Sequence, residues 1–276
     1  MATIKEIERH ALNIRRNIIK MLAHAGSGHT AGALGLADVF AAMYFDILRY
    51  NPENPDDPNR DILVVSNGHV CPALYAALAE VKLIPEKELI ALRQFGSRLQ
   101  GHPQRELLSW LETTSGPLGE GLSQSAGMAY ALKYFDHNEK RQIYCITGDG
   151  ELDEGSNWEA LMFAAKNNLH NMTMIIDRNN IQIDGTTEEV MPLEPLADKL
   201  KSFGMHVIQI DGNSIDSIID ACSMARAVTE QPTAIIAYTI PGKGVDFMEN
   251  DYLWHGKAPN KEEAAKALGQ LEAEEL

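Results

Sequence analysis

The sequence predicts an α/β fold: a doubly wound, mostly parallel sheet with helices on both faces. Between residues 61 and 238, short apolar runs alternate with segments in which apolar residues have helical spacing. This alternation is typical of parallel βαβ units, whose helices cover both faces of the sheet. Glycine-rich segments follow several of the apolar runs. Because ligands of such sheets bind beyond the carboxyl ends of the strands, these loops are the expected ligand site.

Length and charge limit the possible classes of protein. The chain has 276 residues, which is enough for one large or two small domains. Its formal net charge is −15 and its pI is near 5.0. This acidity argues against nucleic acid or an anionic membrane surface as a partner, although a local site on an acidic protein can still bind an anionic substrate.

The sequence also predicts a cytoplasmic protein. Cys71, Cys145 and Cys222 lie in apolar surroundings without the spacing of a metal site, as expected for core residues in a reducing compartment. The N-terminus is a charged amphipathic segment, unlike a signal peptide. No apolar run approaches the roughly 20 residues that a membrane span needs.

Residues 3–25 are predicted to form the first helix, which Gly26 ends. Thr3 and Glu6 have the spacing of a capping box, in which the first turn exchanges hydrogen bonds with the capping residue. An apolar stripe at helical spacing predicts one buried face. The stripe consists of Ile4, Ile7, Ala11, Ile14, Ile18, Met21 and Ala25.

Two histidines follow in loops. His29 stands in a small-residue loop before a predicted helix over residues 36–48. After a proline-rich turn, residues 61–65 are predicted to form a buried strand. His69 stands between that strand and a predicted helix over residues 72–81, where free backbone N–H groups favour an anion. Either histidine could instead be an ordinary polar loop or capping residue.

A third histidine and a long glycine loop come next. A short polar helix is predicted over residues 86–96, and His102 follows between a glycine and a proline. The loop at residues 112–121 is rich in glycine and leads into a predicted helix over residues 122–135. A glycine loop at a helix start can bind a phosphate or a flat ring, although a long turn before a closely packed helix is the plainer interpretation.

The centre of the chain is predicted to be a complete parallel βαβ unit. Residues 143–146 and 172–176 are apolar runs typical of buried strands, with Gly148-Asp149-Gly150 and a helix between them. Ser156 and Glu159 have the spacing of a capping box for that helix. Its predicted packing face consists of Trp158, Leu161, Met162 and Ala165.

Two oxygen-bearing side chains stand at the ends of these strands. Asp149 follows the first strand and Asn179 follows the second, so a parallel sheet would bring them together. One carboxylate, one amide oxygen and nearby carbonyls are too few for a calcium site made by protein alone. They suit Mg²⁺, which shares its coordination with water and phosphate oxygens. Taken alone, Gly-Asp-Gly is more often a simple tight turn.

The last part of the chain continues the alternation. Helices are predicted over residues 193–202 and 215–228, and strands over residues 205–210 and 233–238. A glycine-rich loop follows, and then a loop that carries Trp254, His255 and Gly256. A final helix over residues 261–276 is rich in glutamate and is expected to be solvated or frayed. The glutamates are Glu262, Glu263, Glu272, Glu274 and Glu275.

Taken in order, these motifs resemble those of transketolase, a thiamine diphosphate enzyme. Gly-Asp-Gly, with Asn179-Asn180 after a helix and a strand, resembles the diphosphate-binding signature of such enzymes. The other motifs are Ser-Gly-His at 27–29, Ser-Asn-Gly-His at 66–69, Gly-His-Pro at 101–103, Glu-Thr-Thr-Ser-Gly-Pro-Leu-Gly at 112–119 and Gly-Lys-Gly with His-Gly between 242 and 256. The resemblance implies that residues 1–259 form a thiamine diphosphate-binding domain, leaving residues 260–276 as an acidic helical tail.

The resemblance also implies residue roles. Asp149 and Asn179 through their side chains, and Ile181 through its carbonyl, would bind Mg²⁺, with Ca²⁺ or Mn²⁺ as possible substitutes. The implied cofactor contacts are His69, Gly116, Pro117, Leu118, Gly148, Asp149, Gly150, Glu151, Asn179, Ile181 and His255. The implied catalytic residues are His29, His69, His102 and His255. Glu154 matches an acidic residue that faces the domain of a symmetry mate, and Thr30 departs from the family's usual proline.

The implied reaction moves a two-carbon ketol unit from a ketose phosphate to an aldose phosphate. In transketolases a second, pyrimidine-binding domain supplies a glutamate to the cofactor and basic residues to the sugar phosphate. The sequence after residue 259 has no second βαβ series for these groups. We therefore expect the N-terminal subunit of a split transketolase, active only with a separate C-terminal subunit, as an α2β2 heterotetramer.

Three other interpretations stay open at this stage. One is a subunit of another thiamine diphosphate enzyme, such as a deoxyxylulose-phosphate synthase or a 2-oxoacid dehydrogenase. Another is a non-catalytic cofactor-binding or regulatory subunit, although Asp149, Asn179 and the loop histidines are all intact. The last is a Mg²⁺-dependent phosphohydrolase with Asp149 as nucleophile, which lacks the usual second aspartate two residues on.

Overall fold

The computed structural model describes residues 2–273, and its centre is a five-stranded parallel sheet. The strands are Ile62–Val65 (β1), Ile143–Gly148 (β2), Met172–Arg178 (β3), His206–Asp211 (β6) and Thr233–Tyr238 (β7). Their order across the sheet is β1-β2-β3-β7-β6, and every neighbouring pair is parallel. A small antiparallel hairpin follows β3, made of Ile181–Gln182 (β4) and Gly185–Thr186 (β5). The predicted fold class is confirmed.

Helices lie between the strands and at both ends of the chain. They are Ile4–Ala25 (α1), Ala31–Gly35 (α2), Ala37–Ala42 (α3), Cys71–Glu80 (α4), Glu120–Tyr134 (α5), Gly155–Lys166 (α6), Thr187–Val190 (α7), Leu196–Ser202 (α8), Ile215–Ala227 (α9) and Lys261–Ala273 (α10). No helix within residues 2–273 combines the length and the apolar character that crossing a bilayer would need.

Alternate residues of the strands feed two separate cores, one on each face of the sheet. On β1, Val65 packs with the core that contains α1, α3, α4, α9 and α10. Its neighbour Val64 packs with the core of α5, α6 and α8. This division follows from the two-residue period of a strand, and it explains why β1, β2, β3 and β7 are mostly apolar. The edge strand β6 is less buried and carries polar residues.

The first helix forms as predicted. Thr3 Oγ1 accepts a hydrogen bond from the N–H of Glu6 at 3.3 Å, and Glu6 Oε2 accepts one from the N–H of Thr3 at 2.8 Å. The helix ends at Gly26, which is in the left-handed region with φ of 65°. Most of the apolar stripe is buried, but Ile4 in the first turn is exposed.

Several element boundaries differ from the predictions because tertiary contacts override local pattern. The helix predicted over residues 36–48 consists of α3 and a π turn at Met43–Ile47, and the extra short helix α2 precedes it. The polar helix predicted at 86–96 is a short 3₁₀ turn, Glu86–Ala91. The helix predicted from residue 193 begins later, after the Glu194-Pro195 bond.

The predicted cap of α6 is wrong, and its predicted packing face is only partly right, because Leu161 is buried and Trp158 packs against the core. The capping residue is Glu154, and no side chain caps the helix. Ser156 instead donates a hydrogen bond to the carbonyl of Gly119 at 3.0 Å, which ties α6 to the loop before α5. Met162 is exposed, and the buried face consists of Asn157, Ala160, Leu161 and Ala164.

The last helix is packed along one face and exposed on the other, so over residues 261–273 it is only partly solvated and forms part of the fold. Ala264, Ala267 and Leu271 are buried in the core that contains α1. Arg16 of α1 donates a hydrogen bond to the carbonyl of Leu271 at 3.0 Å. Glu274 and Glu275 lie outside the described residues.

Candidate active site

A cavity of about 410 Å³ opens beyond the carboxyl ends of the strands. It is where a parallel sheet is expected to bind its ligand. The lining residues are His29, His69, His102, Gly116, Leu118, Gly148, Asp149, Gly150, Glu151, Asp177, Asn179, Ile181, Gln182, Ile183, Asp184 and His255. Predicted site residues from seven separate segments of the chain therefore meet in this cavity.

Asp149 is buried at the end of β2, with 1% of its surface exposed. Its Oδ1 accepts a hydrogen bond from the N–H of Gly150 at 2.8 Å. Its Oδ2 accepts from the N–H of Asn180 at 2.7 Å and from Arg178 Nη1 at 3.0 Å. Burial raises the pKa of this carboxyl to about 6, while these donors act in the opposite direction.

Arg178 is the charge partner of Asp149, and no sequence motif pointed to it. Its Nη2 also donates to Glu188 Oε1 at 2.8 Å and to Glu194 Oε1 at 3.1 Å. Its Nη1 donates to Thr187 Oγ1 at 2.6 Å. The guanidinium thus connects the cavity edge to the segment that follows the small hairpin.

Asn179 lies beside Asp149 in a fixed orientation. Its Nδ2 donates to Asp177 Oδ2 at 2.8 Å, and its Oδ1 accepts from the N–H of Ile181 at 3.0 Å. Asp177 also accepts a hydrogen bond from Thr239 Oγ1 at the end of β7. Burial and the neighbouring charge of Asp149 raise the pKa of Asp177 to about 7.

The free lone pairs at this edge suit a shared cation. A carboxylate has about four lone-pair sites, and three protein donors occupy sites on Asp149, which leaves one on Oδ1. Asn179 Oδ1 also has one lone pair left after its bond to Ile181. Among residues 2–273, no three His, Cys, Asp or Glu side chains form a metal cluster. The donors therefore fit an ion that takes its other ligands from a diphosphate and water.

Glu151 joins three of the loops that line the cavity. Its Oε1 accepts hydrogen bonds from Ser66 Oγ and from the N–H of Gly119, the latter at 2.8 Å. Its Oε2 accepts from the N–H of Gly148 at 3.1 Å. The carboxylate thus connects the ends of β1 and β2 with the start of α5, and burial raises its pKa.

Four histidines that line the same cavity form one cluster. The ring centroid of His29 lies 5.0 Å from that of His69, 5.7 Å from His255 and 6.3 Å from His102. Those of His69 and His255 are 5.2 Å apart. Burial lowers the pKa of all four, that of His29 to about 4.

The histidines are therefore neutral at pH 7, and two of them have unused nitrogens. The buried Nδ1 atoms of His29 and His255 have no hydrogen-bond partner among the described residues. A buried nitrogen is expected to be paired in the working protein. A bound molecule with hydroxyl or phosphate oxygens would supply the missing partners.

Most predicted site residues line the cavity, but not all. Pro117 is exposed and lies outside the lining, although its neighbours Gly116 and Leu118 belong to it. Glu154 is also exposed, with its side chain against Gly119. The loops at 27–32 and 101–103 do not follow strands, unlike those at 66–69 and 148–150.

Four lining residues were not identified from the sequence: Asp177, Gln182, Ile183 and Asp184. Asp177 is two residues before Asn179 on β3, so the strand period places both side chains on the same face of the sheet. The other three belong to the turn region of the β4–β5 hairpin. The sequence feature that could have predicted this hairpin is the short segment from Ile181 to Gly185, which ends in a glycine suited to a turn.

The fold and the cavity together define a class of protein: a parallel α/β domain with a site for a diphosphate and its cation at the carboxyl ends of the strands. The family described as "Transketolase, thiamine diphosphate binding domain" matches residues 7–274. The chain belongs to this family. The resemblance predicted from the motifs is thereby confirmed.

Relatives of the same length are separate transketolase subunits. The chain is 40% identical over 269 residues to the 6-deoxy-6-sulfo-D-fructose transketolase subunit SqwG of Clostridium sp. (strain MSTE9), covering 98% of this chain and 97% of that protein. It is 38% identical over 270 residues to an apulose-4-phosphate transketolase subunit of Actinobacillus succinogenes, with the same coverage of 98% and 97%.

Longer transketolases match over their corresponding part. Human transketolase is 36% identical over 268 residues, which are 97% of this chain and 42% of that protein. The transketolase structure from Leishmania mexicana superposes with a TM-score of 0.91 at 31% identity, covering 99% of this chain and 42% of that chain. The chain thus spans less than half of these full-length enzymes.

Proposed function

We propose that this chain is the diphosphate-binding subunit of a two-subunit transketolase that depends on thiamine diphosphate and Mg²⁺. It would transfer a two-carbon ketol unit from a ketose phosphate to an aldose phosphate. The observation that carries the proposal is one cavity that is lined both by Asp149 and Asn179 and by a cluster of four histidines.

The proposed cofactor site consists of residues from several of the loops that line the cavity. Asp149, Asn179 and the carbonyl of Ile181 would hold Mg²⁺, with Ca²⁺ or Mn²⁺ as substitutes, and Gly148, Gly150 and the Gly116–Leu118 loop would lie against the cofactor. Glu151 would keep these loops in register through its three hydrogen bonds. When bound, thiamine diphosphate supplies the electron sink for cleavage and formation of the carbon–carbon bond.

The histidines would handle the protons. Ketol transfer changes hydroxyls to alkoxides and back, and a neutral imidazole can accept a hydroxyl proton and return it. His29, His69 and His255 are close enough to act on neighbouring oxygens of one substrate, and His102 would contact the terminal hydroxyl of the donor sugar. Burial lowers the pKa of all four imidazoles and so favours their neutral form, and the charge of Arg93 adds to this effect at His29 and His102.

Activity would require a second subunit. The cavity is open, and the full-length relatives are more than twice as long as this chain. A C-terminal subunit with the pyrimidine-binding domain would close the cavity, in a cytoplasmic α2β2 assembly with Glu154 at the interface. The same subunit would select the sugar, because it would supply the basic residues that bind the sugar phosphate. The sugar could be an unusual one, since relatives of this chain are named for a sulfonated ketose and for apulose 4-phosphate.

The test is an assay of ketol transfer by the purified chain, first alone and then together with its C-terminal subunit. That subunit is isolated by affinity capture on this chain from cells of the source organism. Thiamine diphosphate and Mg²⁺ are present throughout. The donors are xylulose 5-phosphate, fructose 6-phosphate, 6-deoxy-6-sulfofructose and apulose 4-phosphate. We expect turnover of at least one donor by the pair and none by the chain alone. Robust turnover by the chain alone would contradict the requirement for a partner.

A further inference from the structure

The guanidinium of Arg93 lies between the two loops that present His29 and His102. A Cβ added to Gly28 would lie 3.4 Å from Arg93 Nε, and one added to Gly101 would lie 2.8 Å from Arg93 Cζ. Each of these glycines directly precedes one of the histidines. Both backbones therefore pass against the guanidinium, and at Gly101 the approach is too close for any other side chain.

The backbone at Arg93 is fixed by a hydrogen bond to the loop that precedes His102. Arg93 has φ of 60°, which is uncommon for a residue other than glycine. Its N–H donates a hydrogen bond to the carbonyl of Leu99 at 2.9 Å. From α4, Tyr75 Oη donates to the carbonyl of Gln100 at 2.9 Å, and Cys71 Sγ donates to that of Gly101 at 3.2 Å. The loop before His102 is thus fixed from α4 as well as by Arg93.

The charge of Arg93 is not balanced by a neighbouring carboxylate. Across residues 2–273 it forms no ion pair, and its Nη2 approaches the carbonyl of Gly101 at 3.4 Å. The pKa of His29 is lowered by burial first and then by the charges of His255, Arg93 and His102. That of His102 is lowered by burial and by Arg93.

Arg93 is not among the causes that lower the pKa of the other two histidines, His69 and His255. Burial lowers the pKa of His69, helped by the neighbouring histidines, and burial alone lowers that of His255. From α4, Cys71 and Tyr75 also face the guanidinium, and burial raises the pKa of both. The influence of Arg93 within the cluster is therefore confined to His29 and His102.

We propose that Arg93 is a positioning residue: its guanidinium fastens the loops of His29 and His102 together and places a positive charge behind both imidazoles. This rests on the proposed function only in assigning catalysis to these histidines. A cation behind an imidazole disfavours the protonated form, so the ring is free to accept a substrate proton. The planar guanidinium also fixes the separation between the two rings.

The test is a histidine titration of the full chain, followed by NMR of ¹³Cε1-labelled imidazoles. His29→Gln and His102→Gln assign the two signals. In Arg93→Met the midpoints of His29 and His102 should rise, while those of His69 and His255 move less. Arg93→Lys keeps the charge and should leave the midpoints low. Paired with its C-terminal subunit, either variant should lose about 10²-fold in kcat/KM, because the loops are no longer fastened.

Arg98→Met is the matched control, because Arg98 lies on the same segment and pairs with Glu88 at 2.7 Å, away from the histidines. It should change neither midpoints nor kcat/KM. Unmoved His29 and His102 midpoints in a folded Arg93→Met chain would overturn the proposal. If Arg93→Met does not fold, the same titration is made with Arg93→Gln, which keeps a hydrogen-bond donor for the carbonyl of Gly101. Unchanged midpoints of His29 and His102 in that variant would likewise overturn the proposal. Absence of ketol transfer by the wild-type pair would sink the proposed function but not this one.

Discussion

Asp149 shows how burial changes the expectation for a single residue. The sequence places it in a glycine-flanked acidic loop, which suggests an exposed side chain whose loss would leave the fold untouched. In the structure it is buried and accepts three hydrogen bonds from the protein. Its orientation is therefore set before any cation binds. A ligand that is already oriented loses less entropy when the ion arrives.

We predict that Asp149→Ala weakens Mg²⁺-dependent binding of thiamine diphosphate by at least about 10²-fold. The chain should still fold, because Arg178 keeps Glu188 and Glu194 as partners. Loss of the buried hydrogen bonds should lower the free energy of unfolding by about 1–3 kcal/mol. Cofactor titration followed by tryptophan fluorescence, with and without EDTA, measures the first effect, and urea unfolding measures the second.

Asp153→Ala is the control for this prediction. Asp153 lies in the same acidic loop but is exposed, and within residues 2–273 its carboxylate accepts a hydrogen bond only from Gln182, at 3.2 Å. Its loss should leave cofactor affinity within about twofold of wild type, as is usual for surface positions. Equal affinities of Asp149→Ala and wild type would refute the assignment of the cation site.

At the same scale, the sequence predicts the residues that carry recognisable motifs and misses those defined by packing. Asp149, Asn179 and the histidines stand in patterned loops, so their role could be anticipated. Arg178 and Arg93 have no pattern around them, and their importance arises from what the folded chain places beside them. Pro117 belongs to a motif, yet the turn directs it away from the cavity.

At the scale of elements, the start of α5 depends on a close approach to the end of β1. Gly121 N–H donates to Ser66 Oγ at 3.0 Å, and Ser66 Oγ donates to Glu151. A Cβ at Gly121 would lie 2.5 Å from Ser66 Cβ. The glycine thus lets the helix begin directly against the strand end, and this contact positions the cavity loop that precedes α5.

We predict opposite effects for the same substitution at two positions of α5. Gly121→Ala should lower the free energy of unfolding by about 1–3 kcal/mol, because the added methyl group overlaps Ser66. Gly127 is exposed, with no atom within 4 Å of an added Cβ. Gly127→Ala should therefore raise the free energy of unfolding by about 1 kcal/mol through helix propensity. Urea unfolding of both variants gives the sign of each effect.

Only Gly121→Ala should also weaken cofactor binding, because Ser66 and Glu151 hold the cavity loops together. If both Gly121→Ala and Gly127→Ala destabilised the chain, α5 would tolerate a side chain on neither face. The effect of Gly121→Ala could then not be assigned to the close approach of Gly121 to Ser66.

Element types could be predicted far better than their ends. Apolar runs with a strand's length and stripes with a helical period identify the sheet and most helices. The start of α6 could not be predicted, because Ser156 is engaged by the carbonyl of Gly119 from another element. Local spacing cannot anticipate a hydrogen bond whose partner is 37 residues away in the chain.

At the scale of the whole molecule, the open question raised by the sequence is whether the chain ends in a separate tail. Composition favours one, because the last helix is rich in Glu and Lys. Packing argues for a single unit, since α10 lies in the same core as α1, α3, α4 and α9. Charged residues cover the outer side of the helix, and its inner side is a narrow stripe of Ala and Leu.

We predict that Leu271→Ala lowers the free energy of unfolding of the whole chain by about 2–4 kcal/mol, because it leaves a cavity beneath α10. Leu271 is fully buried, whereas Leu268 in the same helix is only partly buried. Leu268→Ala should therefore cost about 1 kcal/mol or less. Both variants should unfold in one transition with an unchanged denaturant slope, because α10 shares the core of the sheet. An unshifted midpoint for Leu271→Ala would mean that α10 unfolds independently, and the domain would then end near residue 259 as the sequence predicts.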